Sequence, residues 1–87
     1  MITLSFVSLH PDHSVETHWA PDRSGDYPEQ CMRGRAYADE LVAHIQAEND
    51  PTMFGAVVRA IVAGRKYEGV EVGFCAGIGI ELLGIVE

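Results

Sequence analysis

Apolar and polar side chains alternate at the start of the chain, with Ile2, Leu4 and Phe6 set against Thr3 and Ser5 before Val7 and Leu9. A period of two is the signature of a strand with one buried face, so β structure is expected over residues 2–9. Residues 10–29 then turn to Pro, Asp, His, Ser and Gly, and Pro11, Pro21 and Pro28 each remove a backbone donor. This reads as a long polar loop. Within it Val15, Thr17 and Trp19 alternate with Glu16 and His18, so a second strand pairing with the first is the alternative to an unstructured connection.

The period changes between Gln30 and Asn49. Tyr37, Leu41, Val42 and Ile45 recur at three- and four-residue spacing, with Asp39, Glu40, Gln46 and Glu48 largely opposite, which predicts an amphipathic helix. Ala36, Ala43 and Ala47 add a stripe of small side chains that would admit a close neighbour. Asn49 and Asp50 break this helix, and Asp50 followed by Pro51 supplies an N-cap for another. Over residues 51–63 Met53, Val57 and Ile61 lie on one side, Phe54, Val58 and Val62 beside them, and Ala56, Ala60 and Ala63 on a third stripe. With Arg59 its only charge, such a helix is expected to be central, packed alanine to alanine on the first, with Gly64 as C-cap and Arg65 and Lys66 facing the dipole.

Val70, Val72 and Phe74 alternate with Glu71 and Gly73, again at the strand period. Ile78, Ile80 and Leu82 alternate as well, although Ile78, Leu82 and Ile85 also fit a helical face. Gly77, Gly79 and Gly84 favour a closing strand over a third helix, because each glycine inside a helix costs about 1 kcal/mol relative to alanine. The expected fold class is therefore α+β: a small antiparallel sheet of two to four strands packed against a two-helix hairpin, in the order β-(β)-α-α-β-(β).

Eighty-seven residues, 47% hydrophobic and 22% charged, suit one compact domain over 1–87 rather than a disordered segment. A net charge of −7 would repel a phosphate backbone, so direct nucleic-acid binding is not expected. Cys31 and Cys75 form no CxxC pair, which speaks for a reducing compartment and against a disulfide or four-thiolate scaffold. Residues 1–9 lack the basic start of a secretory signal, and no apolar run approaches the roughly 18 residues of a membrane span. A cytoplasmic protein is the expectation.

His10, Asp12, His13, Glu16 and His18 place five metal-capable side chains in one short segment. Their spacing matches no established ligand motif, and a loop of this composition is ordinarily just solvated, so no metal and no cofactor is assigned. Cys31 near a helix start could be an activated thiol, but cysteine more often serves as a small buried hydrophobe, which is the expectation for Cys75 beside Phe74. Gly77 and Gly79 lack the third glycine of a nucleotide fingerprint.

The charge map remains. Residues 1–30 hold Asp12, Glu16, Asp22, Asp26 and Glu29 against Arg23 alone, and residues 67–87 hold Glu68, Glu71, Glu81 and Glu87 with no base. If the two ends pair, Asp12, Glu16, Asp22, Asp26, Glu29, Glu68 and Glu71 form a negative surface broken by the aromatics Trp19 and Tyr27, a composition suited to a basic protein partner. Acids that merely keep a domain soluble are the plainer explanation. The functional expectation is a non-catalytic, acidic protein-binding module. In size and charge it is similar, by analogy of class only, to phage-encoded inhibitors such as anti-CRISPRs that block a basic nucleic-acid-binding groove. A self-associating structural or assembly protein, whose sheet edge or apolar helix face closes a homodimer, is the alternative, followed by a metal-dependent hydrolase using the segment that holds His10 and His18.

Overall fold

The computed structural model of the chain describes residues 4–83 and is mostly helical. In chain order it has β1 (Ser8–Leu9), β2 (Val15–Thr17), α1 (Tyr27–Glu48), α2 (Thr52–Gly64) and α3 (Gly69–Leu83). The expected β-(β)-α-α-β-(β) order with a two-helix hairpin is thus corrected: the described residues form three helices, and their only sheet is the antiparallel pair β1–β2. Of residues 4–9 only Ser8 and Leu9 join the ladder, because the chain turns at Ser5 and Phe6, where the Val7 N–H donates to the Leu4 carbonyl at 3.1 Å. The alternation still reports burial correctly, with Leu4 and Phe6 inside and Ser5 exposed. The part of that reading on Ile2 lies outside the described residues.

Helix α1 takes in the last three residues of the expected loop, Tyr27, Pro28 and Glu29. Asp26 accepts the Glu29 N–H at 3.0 Å, the Glu29 side chain accepts the Asp26 N–H at 3.3 Å, and Pro28 occupies the first turn, where no N–H is needed. At the far end Asn49, at φ 52°, closes the helix in the left-handed region.

The largest departure is α3. Val70, Phe74 and Ile78 are buried while Val72 is 44% exposed, so the working period is four and not two. The glycines decide it, by a reason opposite to the one expected of them. Gly69, Gly73 and Gly77 recur at four-residue spacing and, with Gly34 of α1, let two helix backbones touch. A Cβ on Gly73 would stand 2.0 Å from the Cys31 carbonyl oxygen, and one on Gly34 2.0 Å from that of Val70. Dispersion and burial along such a seam offset the propensity cost of about 1 kcal/mol per glycine.

Gly69 lies against Tyr27 and Gln30, Gly73 against Cys31, and Gly77 against Arg35 and Ala38. Positions advance together, so α1 and α3 run parallel and α2 is the crossover between them. The alanine-to-alanine hairpin is corrected accordingly: Ala36, Ala43, Ala47 and Ala63 are exposed, and α2 buries only Val57 and Ile61 fully. Asp50 does not cap α2 by its side chain, which instead accepts the Thr52 hydroxyl at 2.7 Å, and Arg65 at φ 56°, not Gly64, forms the C-cap.

Phe6 sits at the centre of the core, with ring centroids 5.4 Å from Trp19, 5.2 Å from Tyr37 and 6.1 Å from Phe74. Its segment is pinned to α1 by Glu40, whose carboxylate accepts the Ser5 N–H at 3.0 Å and the Ser5 hydroxyl at 2.9 Å. Leu41, Val57, Ile61, Val70 and Ile78 complete the interior.

Candidate functional site

The nine residues expected to face a partner fall into two groups. Trp19 and Glu71 are interior, at 9% and 1% exposure, whereas Asp12, Glu16, Asp22, Asp26, Tyr27, Glu29 and Glu68 are exposed. Glu71 is the hub of a buried polar node. Its carboxylate accepts the Trp19 indole N–H at 2.8 Å, the Glu68 backbone N–H at 2.9 Å and both ends of the Arg23 guanidinium. Burial pushes the Glu71 carboxyl up, but the Arg23, Trp19 and Glu68 hydrogen bonds outweigh it and hold the group below its ordinary value. Arg23 is raised in turn, chiefly by its hydrogen bond to Glu71. All acceptor directions of Glu71 are taken, so the node fastens the loop to α3 and leaves no free base or acid for chemistry.

Several exposed acids also serve the chain itself. Asp12 accepts the Ser14 N–H and hydroxyl, and Asp22 accepts the Ser24 N–H; these bonds lower both carboxyls. Asp26 and Glu29 form the cap of α1, and Glu68 stands 3.4 Å from Arg23. Because α1 and α3 are parallel, their N-termini share one pole, and Asp26, Glu29, Glu68 and Glu71 offset the positive ends of two dipoles. Tyr27 stands exposed among them, its phenol pushed up by hydrogen bonding with the Cys31 thiol. Residues 22–29 and 68–71 meet here through helix packing and not through strand pairing, whereas Asp12 and Glu16 lie on the β hairpin and Glu81 at the far end of α3.

Among the described residues, no group of three or more His, Cys, Asp or Glu side chains is placed to hold a metal ion. In the 10–18 segment His10 lies 3.9 Å from Glu16, while His13 adopts φ 70° in the turn between the strands. Cys75, expected to be buried, is exposed, and neither cysteine is in a disulfide. No helix of the described residues is long and apolar enough to cross a membrane.

Periodicity did not announce the molecule's most conspicuous surface. Because α3 docks on α1 and not on α2, the side of α2 bearing Phe54, Val58 and Val62 stays exposed, at 36%, 37% and 56%. Two open clefts meet at Phe54 and Ile78. One, of about 320 Å³, is lined by Val42, Ile45, Phe54, Ile78, Leu82 and Glu81 at the C-terminal ends of α1 and α3. The other, of about 260 Å³, runs between α2 and α3 past Val58, Val62, Tyr67 and Cys75. The signal was present in the sequence as the second apolar stripe of α2, which an alanine-seamed hairpin would have covered. Comparison with known proteins finds no matching protein family, no matching curated protein and no matching solved structure.

Proposed function

We propose that the chain is a non-catalytic protein-binding module whose partner presents a basic surface. The observation that carries this reading is the apolar trough along α2 and α3, left uncovered on a chain of net charge −7. A contiguous apolar surface rimmed by polar residues marks an interaction site, while the acids supply long-range attraction to a cationic partner. A basic nucleic-acid-binding groove has that chemistry, and a chain that occupied it would act as an inhibitor. Asp22, Asp26, Tyr27, Glu29 and Glu68 extend the acidic surface at the opposite pole, with Asp12 and Glu16 on the hairpin.

The test is capture by the immobilised chain across a salt series from about 50 to 300 mM, beyond which surface charge is largely screened. A basic protein retained at low salt, released steeply as salt rises and displaced by its own nucleic acid supports the reading. Retention of only neutral or acidic species, or retention insensitive to salt, refutes it. The exposed face of α2 also favours self-association as a second reading. Light scattering separates the two, since a stable dimer of the isolated chain supports that alternative.

A further inference from the structure

We infer that the cleft at the C-terminal ends of α1 and α3 is the docking site for an amphipathic segment whose apolar anchor is flanked by Lys or Arg. This rests on the functional reading above and names the site and the chemistry that reading leaves open.

The floor of the cleft is apolar, built from Val42, Ile45, Phe54, Ile78 and Leu82, and its volume of about 320 Å³ accommodates one or two large apolar side chains. Val42 and Ile45 are half-buried and Leu82 is 76% exposed, so an entering side chain would remove further apolar surface from water. The rim fixes the sign of the partner. Parallel α1 and α3 bring the carboxyl end of α1 and the last described turn of α3 to this pole, while the amino end of α2, whose Pro51 and Phe54 line the same cleft, offsets about half a charge of the opposite sign. Neither α1 nor α3 carries a base in its last described turn. Glu81 lines the cleft directly, and Glu48 and Asp50 follow from the end of α1 beside Pro51, another lining residue. At the other pole the N-terminal dipole ends are answered by four carboxylates, whereas here the carboxylates of Glu48, Asp50 and Glu81 gather like charge that the amino end of α2 offsets only in part. A cation supplied by a partner would relieve that repulsion, and an apolar side chain beside it would fill the floor. Helix-in-groove recognition uses this combination of anchor and flanking charge.

The test uses a fluorescein-labelled synthetic peptide of about 16 residues, with Leu and Phe one helical turn apart and Lys and Arg around them. Its controls are a peptide of the same composition with the apolar residues dispersed and one with Glu in place of each cation. Binding to the full chain is followed by anisotropy. The basic amphipathic peptide is expected to bind at least tenfold more tightly than either control. Glu81→Lys and the cleft-filling Gln46→Trp, both at exposed helical positions that leave the core untouched, are each expected to weaken it tenfold or more. Asp39→Lys, which changes net charge equally on an exposed face away from the cleft, is expected to change affinity less than threefold.

Equal binding of the three peptides, or indifference to Glu81→Lys and Gln46→Trp, overturns the inference. So does a homodimer dissociated by those same substitutions, since a second copy would then be the occupant. A basic protein captured in the salt series whose retention ignores both substitutions overturns the site and leaves the functional reading standing. Specific peptide binding by a chain that captures no basic protein supports the site and refutes that reading.

Discussion

Alanine at Gly73 and alanine at Gly79 are the same chemical change six residues apart on one helix, and they are expected to move stability in opposite directions. At Gly73 the new methyl would lie 2.0 Å from the Cys31 carbonyl oxygen and 2.6 Å from its carbon, backbone atoms that no side-chain rotation can move. Ordinary contact begins near 3.4 Å, so the helices must separate by about 1.4 Å, which forfeits about half or more of each facing dispersion contact. Overpacking of this kind costs about 1–3 kcal/mol, and the lost seam adds to it, while the gain in helix propensity returns about 1 kcal/mol. The net loss is about 2 kcal/mol, a Tm decrease of about 8–16 °C for a domain of this size. At Gly79 the methyl meets nothing within 4 Å, so only propensity remains, and a Tm increase of about 4–8 °C is expected. Gly55→Ala on α2 is a second open-space control. Circular dichroism melts of the three variants beside the parent decide the matter. A Gly73→Ala protein as stable as the parent, or a Gly79→Ala protein that loses as much as Gly73→Ala, would refute the glycine seam.

Glu71→Gln should cost about 1–3 kcal/mol at pH 7, because Arg23 loses its buried counter-charge, and urea titration measures it. Since the folded-state carboxyl lies below its ordinary value of 4.5, its contribution is present above that pH and lost as pH falls through the lowered value. The variant's acid-unfolding curve should therefore be flatter there, though not flat, because Asp12 and Asp22 are lowered too. His44→Leu should hold or raise Tm: both ring nitrogens lack a hydrogen-bond partner, and Asp50 at 3.6 Å is too distant to serve, so a marked drop in Tm counts against this account. Asp26→Ala should lose about 1 kcal/mol with the cap of α1, whereas Asp39→Ala at an exposed mid-helix position should not.

What the chain disclosed of itself followed the reach of each signal. Leu4 and Phe6 were identifiable as interior, and α1 and α2 as helices, because burial pattern and helical period are local. The start of α1 at Tyr27 was available too, in the Asp26-x-x-Glu29 capping box with Pro28, but the prolines and polar residues around it read as loop. α3 reads as strand in the sequence because Val70, Val72 and Phe74 satisfy a period of two by accident, and because a glycine's cost is local while its compensation lies across a helix interface. The four-residue recurrence of Gly69, Gly73 and Gly77 was the available clue. Trp19 and Glu71 are both expected on an exposed acidic surface and are interior instead, since nothing in the sequence pairs Glu71 with Arg23.

The parallel arrangement of α1 and α3 has a kinetic corollary. Tyr27 and Gly69 touch across a sequence separation of about 40 residues, so the close-packed interface cannot zip up from a tight turn as adjacent antiparallel helices do. Encounter of the two remote segments must come before most of the stabilising energy is gained. The chain should accordingly fold more slowly than a helical hairpin of equal length, with a rate far more sensitive to Gly34 and Gly73 than to substitutions in the intervening crossover.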